Sequence, residues 1–217
     1  MQLIQIQTKK QAVTITGGLS ATGKMPCASY SLSAMQCPTG SKLAQIQGSV
    51  CFGCYALKGN YHYPSVKISH ARKLEAITRD NWVEGMVFLI QKEENSHFRW
   101  HDSGDIQDMA HLLKIVEVAV ALPNVKFWLP TKEYATITAY QRAHGRFPAN
   151  LTVRISAPMI DGKAPMGHGL PVSTVSSHGS SVPVGAVACH APEQGGQCLD
   201  CRACWDSNVR NVNYAKH

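Results

Sequence analysis

The chain has 217 residues, 44% of them hydrophobic and 16% charged, which excludes a disordered chain and suits one ordinary domain with a real core. Twenty-one Lys and Arg stand against fourteen Asp and Glu, a formal charge of +7, but the basic residues are scattered, so a nucleic-acid partner is permitted without being favoured. No stretch approaches the roughly 20 apolar residues of a membrane span, and the opening MQLIQIQTKK lacks the order of a secretory signal, which together point to the cytoplasm.

In chain order, residues 1–60 are rich in Gly, Ser and Cys and offer one strand-like run, Ala12-Val13-Thr14-Ile15-Thr16. Ser65 to Glu94 reads as one or two helices, with Val66, Ala71, Leu74, Ile77, Val83, Val87 and Leu89 as the apolar positions. A short strand is predicted at Phe98 to His101, then a helix over Met109 to Ala121 capped by Ser103 or Asp105 and ending before Pro123. Val125 to Leu129 reads as a second strand stopped by Pro130. Glu133 to His144 reads as a helix closed by Gly145, and Leu151 to Ile155 as a third strand ending at Ser156. Residues 157–217 return to Gly, Pro, Ser and Cys, with short β runs near 182–187 and 209–214. The loop from Pro158 to Pro183 reads as a lid or a mobile excursion.

Strand, helix, strand, helix, strand over residues 64–156 predicts consecutive right-handed βαβ units, hence an α/β fold with a small parallel sheet, like part of a barrel, flanked by Cys-rich N- and C-terminal segments in a single domain, 1–217. Working groups in such sheets gather beyond the carboxyl ends of the strands. Those ends are polar here: His101-Asp102-Ser103-Gly104-Asp105, Pro130-Thr131-Lys132-Glu133 and Ser156-Ala157-Pro158. His101, Asp102, Ser103, Asp105, Lys132 and Arg154 are therefore the candidate catalytic residues. Lys132 and Arg154 suit an anionic small-molecule substrate. His101 is read equally as a hydrogen-bonded core histidine, and Asp102 and Asp105 equally as helix caps.

Eight cysteines are bunched towards the two ends. Cys51-Phe52-Gly53-Cys54 is a CxxC pair with Cys37 and Cys27 before it, and Cys198 to Cys204 is a CxxCxxC run preceded by Cys189. Bunching in a long chain without a signal argues for metal over disulfides. CxxCxxC suits three corners of a cubane, so a [4Fe–4S] cluster is favoured over four thiolates on zinc. A thioredoxin-like role for Cys51 and Cys54 would need a strand leading into the pair, and none is read there. Cys27, alone between Pro and Ala, reads as a small buried residue.

The strings CPTG, CFGCYALKGNY, FRWHDSGDI, FWLPTKE, NLTVRISAPMIDG and CLDCRACWD occur in this order from about Lys24 onward. With them the chain resembles the gene product 88 family of tailed phages and prophages. The resemblance implies a phage origin, hence a host-cell cytoplasm. It also implies a metal centre to which Cys37, Cys51, Cys54, Cys189, Cys198, Cys201 and Cys204 fit as ligands. A looser similarity is to radical SAM-type partial barrels: there a CxxC followed by an aromatic residue binds a cluster, and a polar glycine-containing segment holds the amine of S-adenosylmethionine (SAM). Cys54-Tyr55 and Ser103-Gly104-Asp105 look like those parts, although no CxxxCxxC is present and Cys37 would act as the distant first cysteine.

Three functional readings follow. The first is an iron–sulfur enzyme whose cysteines, drawn from both ends of the chain, share a metal centre, with substrate or SAM at an open iron. The second is an esterase-like hydrolase with a structural or Lewis-acid metal, using His101, Asp102 and Ser103 with His168 and His178 near by. Neighbouring residues on a strand face opposite ways, however, and no G-x-S-x-G elbow is present. The third is a metal-stapled module that binds nucleic acid or protein without chemistry.

Overall fold

The computed structural model describes residues 6–23 and 25–216. Part of the opening stretch read for a signal, and Lys24 at the start of the family resemblance, lie outside the described residues. The run expected as a strand at Ala12 to Thr16 is instead the end of helix α1 (Lys9–Thr16). A capping box decides it: Thr8 Oγ1 accepts from Gln11 N at 3.2 Å while Gln11 Oε1 accepts from Thr8 N at 3.1 Å. Two otherwise orphaned N–H groups are thereby satisfied, which outweighs the β preference of Val, Thr and Ile over a single turn.

The chain then forms β1 (Ser29–Tyr30), the one-turn α2 (Gly40–Leu43), α3 (Pro64–Ala76), α4 (Trp82–Lys92), β2 (His97–Trp100) and α5 (Met109–Ala121). It continues through β3 (Lys126–Thr131), α6 (Tyr134–His144), β4 (Leu151–Ser156), β5 (Val172–Ser176), β6 (Val187–Ala188) and β7 (Asn211–Ala215). The cap of α5 is neither Ser103 nor Asp105 but Asp108, whose carboxylate accepts from His111 N at 2.7 Å. Pro130 does not stop β3. Phe127 N bonds to Asn150 O of the β4 side, so the alternate N–H positions 128 and 130 face β2, whose last paired residue is Arg99 opposite Trp128. A missing N–H at 130 therefore deprives no neighbour. β1 and β5 were not read from the sequence, and the run near 182–187 contracts to the two residues of β6. Because β5 lies inside it, the stretch from Pro158 to Pro183 is not one lid.

All seven strands are parallel, in the order β1-β2-β3-β4-β5-β7-β6, and the sheet is open. The helices that connect β1 to β4 lie on one face of the sheet. There Phe98, Trp100, Phe127, Leu129, Val153 and Ile155 pack against Trp82, Met86, Leu112, Ile115 and Ile137. The other face carries Arg99, Trp128, Arg154 and Tyr214 and is covered by the C-terminal segment: Trp205 packs on Trp128 at 5.1 Å and donates to Phe98 O at 2.9 Å. Among the described residues no helix is long and apolar enough to cross a membrane.

Gly85 lets α1 lie directly on α4, since a Cβ there would stand 2.6 Å from Thr16 Cγ2 and 3.1 Å from Ile15 Cγ2. Ala is the better helix former by about 1 kcal/mol, yet Gly85→Ala is expected to destabilise by about 1–3 kcal/mol because a packed contact must open. Thermal denaturation of the variant checks this, and a raised melting temperature would refute it.

Candidate functional site

The carboxyl ends of β1 to β4 converge on one polar region. Leu32 N, just past β1, donates to Ser103 O at 2.9 Å, and Ser103 Oγ returns to Leu32 O at 2.7 Å. Gly104 has φ +82°, and a Cβ there would lie 2.6 Å from Leu32 Cβ, so only glycine permits the two strand ends to approach so closely. Asp105 is buried and accepts from Ile106 N at 2.8 Å, Thr131 Oγ1 at 2.7 Å and Lys132 N at 2.9 Å, tying the end of β2 to that of β3. Burial pushes its carboxyl up to about 6 against these three hydrogen bonds.

Three cysteines sit over this region. The segment leading to Cys51 is held to the end of β4, with Val50 N donating to Pro158 O at 2.8 Å and Ile160 N to Gly48 O at 2.9 Å. The CPTG turn is clamped by Glu133, whose carboxylate accepts from Thr39 N at 2.8 Å and Thr39 Oγ1 at 2.9 Å. Gly40 has no side chain where it matters: a Cβ would stand 2.8 Å from Cys37 Cβ, 3.4 Å from Cys37 Sγ and 3.7 Å from Cys51 Sγ. The two sulfurs thus both pack against Gly40, so closely that no side chain fits there. Burial raises the Cys37 thiol, Asp105, Cys51 and Cys54 raise it further, and Lys132 opposes them. Cys51 is likewise raised by burial, with Lys132 the largest opposing influence. Three thiols and a carboxyl group thus lie together, groups that repel one another when ionised.

Other expected site residues are placed differently. His101 has φ +55°, so the chain leaves the strand there and the ring turns into the helical side of the core. It lies 5.3 Å from His111 on α5, and both its nitrogens are buried without a hydrogen-bond partner. No hydrogen bond joins it to Ser103, whose hydroxyl donates to Leu32 O. Asp102 Oδ1 accepts from Ser29 Oγ at 2.6 Å and from Ser31 Oγ, joining β2 to β1. His168 packs on α6 against Tyr134 and Thr138, and His178 is exposed. Arg154 does not face an anion site. Its guanidinium donates to Val172 O, Val209 O, Ala203 O and Asp206 O at 2.9–3.1 Å, fastening the C-terminal segment to the sheet. Of the two basic candidates, only Lys132 stands at the strand ends.

The remaining cysteines lie on the opposite side of the sheet from the helices. Cys27 is buried against Trp128 and Trp205, as expected of a small core residue, and burial pushes its thiol up to about 12. Cys204 Sγ is 3.2 Å from Tyr214 Oη, and Cys189, Cys198 and Cys201 belong to the same segment. Tyr55, next to Cys54, lies close to Arg99, and Arg99 lies close to Cys204. All eight cysteines are free. Among the described residues no three Cys, His, Asp or Glu side chains close around a single ion.

Sequence reasoning overlooked Gly40, Glu133 and Arg99 as parts of the site. Each lies inside one of the ordered motifs, and Arg99, a charge in the middle of an apolar strand, was the visible signal. The gene product 88 family model matches residues 2–207, so the chain belongs to the gene product 88 family, as its six ordered motifs indicate. No curated protein and no solved structure matches it.

Two outcomes are expected. Arg154→Lys cannot bridge four carbonyls and should cost about 3 kcal/mol, lowering the melting temperature by roughly 6–12 °C; an unchanged value would remove the clamp. For His101, burial lowers the ring to about 4, so its neutral form is the one the fold favours. The associated stability is complete above the free-histidine value of about 6.5 and is lost as the pH falls towards 4, by up to about 3 kcal/mol. His111, also held well below its ordinary value by burial and then by His101, adds to the loss. Melting temperatures measured from pH 7 to pH 4 should fall less steeply in His111→Phe, and an equally steep fall would assign the effect to other groups.

Proposed function

We propose that this member of the gene product 88 family is an iron–sulfur enzyme whose cluster is held by Cys37, Cys51 and Cys54 at the carboxyl ends of the parallel strands. The observation that carries the reading is the convergence of the Cys37 and Cys51 sulfurs on Gly40, where no side chain fits. The Glu133 clamp on Thr39 and the pairing of residues 48–50 with 158–160 hold the surrounding backbone in place. Nothing in a purely structural module requires so many polar strand ends to be brought together under three thiols. With three protein thiolates, a [4Fe–4S] cluster would supply one iron with an open position, suited to Lewis-acid or redox chemistry on a small molecule or on SAM.

The chain's own groups have definable parts. Lys132 brings positive charge beside Cys37 and Cys51 and suits an anionic substrate group. Asp105, pushed up to about 6, is placed to hold or release a proton near neutral pH. Ser103 and Gly104 are engaged with Leu32, so a SAM amine would find its acceptor in backbone carbonyls or Asp105 and not in the serine. The esterase-like alternative is less well supported, because His101 is turned away from Ser103. A single centre shared by both ends of the chain is also less well supported, because Cys37 neighbours Cys51 and Cys54 at the strand ends while Cys189 neighbours Cys198, Cys201 and Cys204.

Protein purified without oxygen is expected to be brown, with matching iron and sulfide, and to change its electron paramagnetic resonance spectrum when SAM is added after reduction. Cys54→Ser should abolish that change, and Gly40→Ala should lower the iron content towards that of Cys54→Ser. A colourless protein with stoichiometric zinc would overturn the reading.

A further inference from the structure

The C-terminal cysteines take no part in the strand-end site, yet they are held together. Cys189 N donates to Asn213 O of β7 at 2.8 Å, fixing the first of them at the sheet. Cys201 N turns back to Cys198 O at 3.0 Å, with Leu199 between them at φ +44°, a left-handed turn adopted by a bulky residue. Arg154 grips Ala203 O and Asp206 O on either side of Cys204, and Thr152 Oγ1 donates to Trp205 O at 2.8 Å. Cys189 is the common neighbour: its thiol repels those of Cys198 and Cys204 and is itself repelled by that of Cys201.

We propose that Cys189, Cys198, Cys201 and Cys204 hold a second iron–sulfur cluster, separate from the strand-end centre, that orders the C-terminal segment across the face of the sheet left bare by the helices. Three observations carry it. The CxxCxxC run with one distant cysteine matches the four corners of a cubane, and the thiol of Cys189 neighbours those of Cys198, Cys201 and Cys204. The segment has little apolar content with which to order itself: Val182, Val184, Val187 and Leu199 are exposed, and Trp205 is its one buried large side chain. A bound metal centre would supply that order, since binding free energy at such a site is folding free energy. Finally, Arg99 and Arg202 lie close to Cys198, and Arg154 and Arg99 close to Cys204. A cluster with four thiolates carries net negative charge, and cations of this kind are what its partial burial requires. With every iron bound by the protein, this centre has no open position and is not a substrate site.

The inference does not depend on the function proposed for the strand ends, and one variant separates them. Cys51→Ser/Cys54→Ser, purified without oxygen, should keep roughly half of the parent's iron and sulfide, as two clusters of equal size require, and should show no response to SAM. In that same variant Cys189, Cys198, Cys201 and Cys204 should resist alkylation until the cluster is removed by oxidation and chelation, with mass spectrometry identifying the labelled positions. This measurement needs no substitution in the C-terminal segment, so it stands even where Cys198→Ser/Cys201→Ser fails to fold. A variant devoid of iron, zinc in the place of iron, or immediate alkylation of the four cysteines would overturn the second cluster. A variant that kept all the parent's iron would instead overturn the strand-end centre.

Discussion

A parallel sheet wound in one direction has an inherent asymmetry, and the rest of this molecule follows from it. Each right-handed crossover from β1 to β4 delivers its helix to the same side, so the apolar layer of Trp82, Leu112, Ile115 and Ile137 covers one face only. A parallel sheet left bare on its second face would expose Trp128 and strand the charge of Arg99. The chain solves this with a segment of almost no regular structure, fastened by the four carbonyls gathered around Arg154. A guanidinium is suited to this because its fork of donors can satisfy several carbonyls that no strand or helix would otherwise pair.

The same winding places all strand ends on one rim, and there the chain concentrates groups that a stable core would avoid. Asp105 loses much of its preference for the charged form when buried, and the thiols of Cys37 and Cys51 are raised by burial and by that carboxyl group. Such an arrangement disfavours the ionised forms of these groups. Its geometry is nonetheless closely specified, by Glu133 on Thr39, by Gly40 beside the sulfurs and by Gly104 against Leu32. Specified geometry around mutually unfavourable groups is the usual mark of a site and not of a scaffold.

His101 shows how one backbone angle redirects a functional reading. Alternation along a strand would send it to the face opposite Trp100, and the motif around it is polar. At φ +55° the alternation ends, and the ring joins His111 among the aromatic residues of the helical layer. Pro130 makes the converse point: a residue expected to end a strand is accommodated because its neighbour on that side has already ended.

From the sequence alone the order of strands and helices over residues 64–156 was legible, because periods of 2 and 3.6 residues survive without any knowledge of contacts. So were the parallel sheet, which that order dictates, the family, which six motifs carry, and the polar character of the strand ends. β1 and β5 were not legible, since two or five residues of Ser, Thr, Tyr and Val in a glycine-rich context become strands only by pairing with a neighbour already in place. Nor was the helical state of Ala12 to Thr16, which turned on a capping exchange between two side chains. The division of the cysteines belongs wholly to tertiary structure. Spacing brings Cys51 near Cys54 and Cys198 near Cys201, but only the folded sheet sets one group over its rim and the other across its bare face.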